Sequence, residues 1–219
     1  MPDFRELATR AESRYRDGEA RLPEEPDERQ RQLTRMGNAA NAVGLSFLML
    51  GDRSAAAEWF ARAADRYRES YATAPAGSWG RPIGAIKARI LGDDWEGADR
   101  DAEWALAEGA ARADSPIGRY AGCLAALVLM RWVEARALAD DLRTHEGFPT
   151  DVADALAFIA ADDPVGYAEA IDDVLESFET RDDYLEDIPV ADTVIVLQAL
   201  AARRGIAGEL ESELLPESV

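Results

Sequence analysis

The one histidine, His145, and the one cysteine, Cys123, are the first residues to consider for nucleophilic or acid–base chemistry. A Ser-His-Asp or Cys-His arrangement would need His145 as its base. His145 instead falls in the last turn of a predicted helix, where an imidazolium complements the helix dipole. Cys123 lies among Ala, Gly and Leu on an apolar helix, which is typical of a small core residue. We therefore predict no catalytic residue.

The sequence offers no recognisable metal or cofactor site. One histidine and one cysteine do not make an ordinary zinc site, and the Glu-x-x-His pairs of a di-iron carboxylate bundle are absent from the sequence. The segment Gly77-Ser78-Trp79-Gly80 lacks the lysine and the preceding strand of a phosphate-binding loop. We predict no metal and no cofactor. A carboxylate-dependent enzyme on a helical scaffold stays open as the alternative to a non-enzymatic protein.

Acidic residues dominate the charge, with 43 Asp and Glu against 24 Lys and Arg, for a net charge of −19. The only lysine is Lys87, and the acids form short pairs along the whole chain, among them Asp93-Asp94, Asp140-Asp141, Asp162-Asp163, Asp172-Asp173 and Asp182-Asp183. This composition resembles that of proteins from salt-accumulating archaea. Molar salt shortens the Debye length to about 3 Å, which removes most of the self-repulsion. We predict a halophilic, acidic surface, with no binding of nucleic acid or of an anionic membrane.

Three features predict a cytoplasmic location. No run of about 18 apolar residues is present, so we expect no transmembrane helix. The first residues lack the basic and apolar regions of a signal peptide, so we expect none. A single cysteine excludes an intrachain disulfide and fits a reducing compartment.

Helical periodicity is the only strong secondary-structure signal, and it predicts an all-α fold. The first segment, for example, has apolar residues at helical spacing: Phe4, Leu7, Ala8, Ala11 and Tyr15. The last long helix is predicted to begin at residues 187–189. We predict a single domain over residues 1–219, which comprises an N-terminal helix (1–21), a Pro/Glu linker (22–26), stacked helical hairpins (27–205) and an acidic C-terminal tail (206–219).

The segment from Asn38 to Tyr71 reads as two helices folded back on each other at Gly51-Asp52. It carries a Gly, small residues and aromatics at regular spacing, namely Val43-Gly44, Phe47, Ala56, Phe60 and Ala63. This spacing resembles the tetratricopeptide repeat, best over residues 37–70, although Ala40 replaces a large aromatic and the closing Pro is absent. The resemblance implies antiparallel helix pairs stacked in a right-handed array. A generic α-helical bundle is the alternative.

Two later segments fit the same pattern more loosely. One comprises Cys123, Ala126, Ala135, Ala139 and Leu142, and the other comprises Leu156, Ile159, Ala168 and Leu175. Ala135 and Ala168 are 33 residues apart, close to one tetratricopeptide unit. We therefore align Ala168 with Ala135.

Residues 186–216 contain an apolar helix that ends in Ala202-Arg203-Arg204-Gly205-Ile206, followed by Glu211-Ser212-Glu213-Leu214-Leu215-Pro216. This stretch resembles the closing segment of the immunity protein 49 family. The resemblance implies a tetratricopeptide-like helical protein whose partner is a toxin that it neutralises.

Aromatic residues and an arginine cluster around one loop, at Tyr67, Tyr71, Trp79 and Arg81. Aromatics and Arg are the usual anchors of protein interfaces, and stacked helix pairs form concave binding surfaces. We predict that these four residues belong to a surface that binds a protein or peptide, with the chain acting as a monomer or homodimer. Packing between helices is the competing interpretation of the same residues.

Overall fold

The computed structural model describes residues 2–217, and within them the chain forms ten α-helices and no strand, which confirms the all-α prediction. No helix of this described part is long and apolar enough to cross a membrane. Short 3-10 turns lie at Ala110–Arg112 and Leu185–Asp187. The helices are α1 (Phe4–Ala20), α2 (Pro26–Met49), α3 (Arg53–Tyr71), α4 (Gly80–Leu91), α5 (Trp95–Ala107), α6 (Pro116–Val128), α7 (Trp132–Leu142), α8 (Thr150–Ala161), α9 (Pro164–Glu179) and α10 (Asp192–Arg204).

Four consecutive hairpins, α2–α3, α4–α5, α6–α7 and α8–α9, share one turn geometry. In the first, Gly51 has a φ of 77° and its N–H donates to the Leu48 carbonyl, while the Asp52 N–H donates to the Phe47 carbonyl. This pair of bonds is the Schellman motif, which satisfies carbonyls left open at a helix end. The other three turns repeat both bonds around a residue with positive φ: Asp93 (56°), Met130 (55°) and Asp162 (61°).

The second helix of each hairpin buries residues at the fifth, ninth and twelfth positions after the residue with positive φ. These side chains are at most 1% exposed: Ala56, Phe60, Ala63, Ala98, Ala102, Ala105, Ala135, Ala139, Leu142, Tyr167, Ile171 and Val174. Tyr167, not Ala168, therefore corresponds to Ala135, and Ala168 is exposed. The alignment of Ala168 with Ala135 is wrong by one residue, because the fourth hairpin uses a tyrosine at a position where the others have alanine.

Gly44 sets the separation of α2 and α3, since a Cβ at this position would lie 2.7 Å from the Phe60 ring. We expect Gly44→Leu to lower the free energy of unfolding by about 1–3 kcal/mol through overpacking, measured by guanidinium denaturation in molar KCl. Gly208→Leu is the control, because a Cβ there would meet no atom within 4 Å. Equal stability of the two variants would show that α2 and α3 do not approach closely at Gly44.

The first helices of the hairpins form one layer, in which α2 contacts α4, α4 contacts α6, and α6 contacts α8. Helix α10 packs against α4, α8 and α9, so it covers part of this layer and does not form a further hairpin. It begins at Asp192, later than the predicted 187–189, and α2 begins at Pro26, inside the predicted linker. Helix α10 buries an apolar face made of Val194, Ile195, Val196, Leu197, Leu200 and Ala201.

Polar contacts fix both ends of α10. At its start, the Lys87 ammonium lies 2.6 Å from the Asp192 carboxylate and 3.0 Å from the Thr193 hydroxyl. At its end, the Arg203 guanidinium stacks 4.3 Å above the Trp95 ring and donates to the Val128 carbonyl at 2.9 Å. Helix α10 is thereby joined to the second and third hairpins.

The C-terminal tail packs onto the helices. The Ala191 N–H donates to the Leu214 carbonyl at 3.0 Å, and Leu215 is buried in the core. In the same tail, the Gly208 carbonyl accepts a 2.6 Å hydrogen bond from the Gln198 side chain. The segment predicted as an acidic tail over 206–219 is thus part of the packed structure as far as residue 217.

Candidate binding cavity

A cavity of about 300 Å³ lies between α2, α4 and the start of α10. Helix α3 contributes one side chain to its wall, and the 3-10 turn at Leu185–Asp187 contributes Leu185. The side chains that line it are Thr34, Asn38, Asn41, Tyr67, Arg81, Ile83, Lys87, Leu185 and Asp192, with Gly80 and Gly84. The cavity therefore lies on the layer of first helices, beside the part that α10 covers.

Arg81 is half-buried and hydrogen-bonds only neutral groups. Its Nε donates to the Ser70 hydroxyl at 2.7 Å and its Nη2 donates to the Gln30 side-chain carbonyl. Within the described residues no carboxylate pairs with Arg81. Burial lowers the pKa of Arg81 below its usual value. The Arg81 Nη1 makes no hydrogen bond to the described protein.

Asn41 is 7% exposed, and its side chain has no hydrogen-bond partner within residues 2–217. Asn38 lies one turn earlier on α2; its carbonyl accepts from the Tyr67 hydroxyl at 2.9 Å, while its amide nitrogen bonds no described group. These amides face the cavity and are not sealed from solvent, since the fully buried side-chain atoms without a hydrogen-bond partner within residues 2–217 are Asp99 Oδ1 and Arg204 Nε. The cavity thus contains two amide groups whose hydrogen-bonding capacity the protein itself does not use.

The remaining charges of the cavity largely cancel. Lys87 pairs with Asp192 at 2.6 Å, and their side chains are 15% and 21% exposed. Arg81 therefore leaves the cavity with a net positive charge. Burial raises the pKa of Tyr67, and the Asp192 and Glu186 carboxylates add to that effect, so the Tyr67 hydroxyl stays neutral and acts as a hydrogen-bond donor.

The turn that flanks the cavity has a strained backbone. Glu186 and Asp187 are consecutive residues with positive φ, 58° and 61°. Such conformations in residues other than glycine cost of the order of 1–3 kcal/mol each and concentrate at functional sites. Glu186 is also held by Arg14 of α1 at 3.2 Å. The turn is therefore fixed against α1 and α2 at the edge of the cavity.

The four residues predicted for an interaction surface separate into two groups. Tyr67 and Arg81 line the cavity. Tyr71 and Trp79 pack between hairpins, where the Tyr71 ring lies 6.3 Å from Trp79 and 5.1 Å from Trp104. Because Trp79 is only 8% exposed, it has little surface to offer a partner. The aromatic residues serve mainly in packing, and Arg81 is the member of the set with unused hydrogen-bonding capacity.

Asn38 and Asn41 were not among the predicted site residues, although the sequence holds a signal for them. They are polar side chains inside the apolar stretch of α2, which otherwise buries its residues from Met36 to Leu48 almost continuously. Amides at such positions need either partners or a polar space beside them.

The residues considered first for catalysis lie away from this cavity. The Cys123 thiol is buried, contacts the Ala135 carbonyl at 3.4 Å, and has a pKa raised by burial. The His145 ring lies 3.2 Å from Asp141, whose carboxylate also binds Arg119 at 3.0 Å. Neither residue lines the cavity. Within residues 2–217 no group of three or more His, Cys, Asp or Glu side chains is placed to hold a metal ion.

Comparisons with protein-family models, with curated proteins and with solved structures found no match to this chain.

Proposed function

We propose that this chain is a non-enzymatic helical-repeat protein that binds a protein partner in a high-salt cytoplasm. Its four hairpins share one turn and one set of buried positions, which supports a tetratricopeptide-like, right-handed stack. Repeats of this kind present extended surfaces to partners. The observation that carries the proposal is the cavity on the first-helix layer, where Arg81 and Asn41 have hydrogen-bonding groups that bond no described residue.

A toxin-neutralising immunity protein is a special case of this function. The resemblance of residues 186–216 to the immunity protein 49 family supports it, and this stretch includes α10 and the last two residues of the Leu185–Asp187 turn. Co-expression with the product of a neighbouring gene would test it. Growth of cells that make both proteins is expected, and death of those cells would contradict the immunity proposal.

A carboxylate-dependent enzyme is the alternative function. General acid–base work by carboxylates commonly uses a pair of them with different environments. The cavity is lined by one carboxylate, Asp192, and this group is engaged by Lys87 and by the Thr193 hydroxyl. This arrangement favours the binding function over the enzymatic one.

Affinity capture in molar KCl tests the proposed function. We expect the wild-type chain to retain one stoichiometric partner. Arg81→Gln should capture at least ten-fold less of that partner, because a buried charged hydrogen bond is worth about 1.5–3 kcal/mol. Arg131→Gln is the matched control, because Arg131 is exposed on the α6–α7 turn and pairs only with Glu134. Equal capture by the two variants would place the partner elsewhere, and no partner for the wild type would overturn the proposal.

A further inference from the structure

We propose that the cavity between α2, α4 and α10 binds a carboxylate group, held by the Arg81 guanidinium and by the side-chain amides of Asn38 and Asn41. This inference rests on the proposed function only in taking the same cavity as the contact site. The groups that carry it come from the chain itself. Among residues 2–217, no group accepts a hydrogen bond from Arg81 Nη1 or from the Asn38 amide nitrogen, and none bonds the Asn41 amide.

Asn41 is the most buried of the three side chains proposed to hold the ligand. Its side chain is more than nine-tenths buried and lies at the cavity wall without a partner among the described residues. Hydrogen bonding inside the fold therefore does not account for an amide at this position. A ligand in the cavity would supply the missing partner, and a ligand with acceptor atoms would also satisfy the neighbouring Asn38 nitrogen.

The charges select the class of ligand. Arg81 has no carboxylate partner in the described part of the chain, whereas Lys87 and Asp192 neutralise each other. A cation would meet the uncompensated guanidinium. A dianion would meet the Asp192 carboxylate, which lines the same cavity. A ligand with a single negative charge therefore balances the net charge of the side chains that line the cavity.

The positions of the remaining donors select the carboxylate among monoanions. Since Nε and Nη2 of Arg81 already donate to Ser70 and Gln30, the donors that bond no other described group are Nη1 and the amide nitrogens of Asn38 and Asn41. The two oxygens of a carboxylate can accept from several separate donors at once, whereas chloride, the abundant monoanion of a salt-rich cytoplasm, accepts hydrogen bonds at one centre. Screening at molar salt acts mainly on exposed charges, and the Arg81 guanidinium is half-buried, so the pair is expected to survive in molar KCl.

The carboxylate could come from a free small acid or from an acidic side chain of the partner, and the probes separate these sources. Potassium acetate represents the free acid, and Ac-Ala-Glu-Ala-amide represents the side chain. Ac-Ala-Gln-Ala-amide and additional KCl serve as controls for the peptide backbone and for anions in general. The measured quantity is the midpoint of thermal unfolding in molar KCl, with added potassium acetate and added KCl compared at equal total potassium concentration.

We expect a carboxylate probe at ten times its Kd to raise the midpoint by about 3–6 °C, and the Gln peptide and added chloride to leave it unchanged. In Asn41→Leu, which keeps the volume and removes the amide, the shift should disappear. Arg131→Gln, on the distant α6–α7 turn, should retain it.

The inference fails if neither carboxylate probe shifts the midpoint, if the Gln peptide or chloride shifts it equally, or if Asn41→Leu keeps the full shift. Its failure is distinct from failure of the proposed function. If the chain captures a partner and Arg81→Gln captures it equally well, the proposed interaction function stands and the carboxylate site is contradicted. If a carboxylate probe shifts the midpoint but the chain captures no protein, the carboxylate site stands and the interaction function is contradicted.

Discussion

A chain that ends at Val190 is expected to show no cooperative unfolding transition under conditions in which the whole chain is folded. The truncation removes α10, whose large buried side chains are Val194, Ile195, Val196, Leu197 and Leu200. Burial of one such side chain contributes about 1.5–3 kcal/mol, and a typical domain is stable by only about 5–15 kcal/mol in total. Losing all of them therefore removes stability comparable with that of the whole fold.

Circular dichroism during guanidinium titration in molar KCl measures this effect. A chain that ends at Pro216 is the control, since it keeps α10 and the buried Leu215, and it should unfold in a single sharp transition. If the chain ending at Val190 unfolds like the control, α10 is a removable cover on a layer that is stable without it. Loss of the transition, the expected result, would show that the fold requires α10.

Asp101→Ala is expected to lower the free energy of unfolding by about 3–5 kcal/mol, because it breaks a buried ion pair on one side only. The Asp101 side chain is 3% exposed and accepts from Arg68 and, at 3.2 Å, from Arg89. These three residues lie on α5, α3 and α4, so the network joins the first two hairpins. Being buried, it is screened less by salt than a surface pair, and the loss should persist in molar KCl.

Asp65→Ala is the matched control for this variant. Asp65 binds the same Arg89 at 2.6 Å, but its side chain is 69% exposed. Exposed pairs contribute about 0–1 kcal/mol. We therefore expect Asp65→Ala to lower the free energy of unfolding by no more than this amount, as measured by guanidinium denaturation. Equal losses for Asp65→Ala and Asp101→Ala would show that burial of the Asp101 carboxylate does not determine its contribution.

The first hairpin could be predicted from sequence because its signals are local. Gly51 permits the left-handed turn, Asp52 caps the next helix, and Ala56, Phe60 and Ala63 are buried as their spacing predicts. The fourth hairpin was misaligned because Tyr167 fills a position that alanine takes elsewhere. The Tyr167 hydroxyl donates to the Gln198 side chain of α10 at 2.8 Å, a contact that a pattern based on residue size does not include. The backbone turn at Asp162 is the better marker of register.

The position of α10 could not be predicted, since its apolar face indicates only that it is buried and not against what. The contact that orients it, Lys87 with Asp192, joins residues 105 positions apart. The cavity depends on that same contact, so it could not be predicted from the sequence either. The enrichment of aromatic residues at interfaces favoured Trp79 and Tyr67, but both are buried. The hydrogen-bonding groups that bond no described residue belong to Arg81 and to the amides on α2.

The thermal midpoint of Asn41→Leu without ligand, in molar KCl, tests most directly whether the cavity exists for binding. Within residues 2–217 the fold makes no hydrogen bond to the Asn41 amide, and this amide is not among the fully enclosed polar atoms. Its replacement by an apolar side chain of similar volume therefore removes no bond that stabilises the folded chain, and the midpoint should stay at the wild-type value or rise. A fall in the midpoint would contradict the account, because it would mean that the fold itself needs the Asn41 amide.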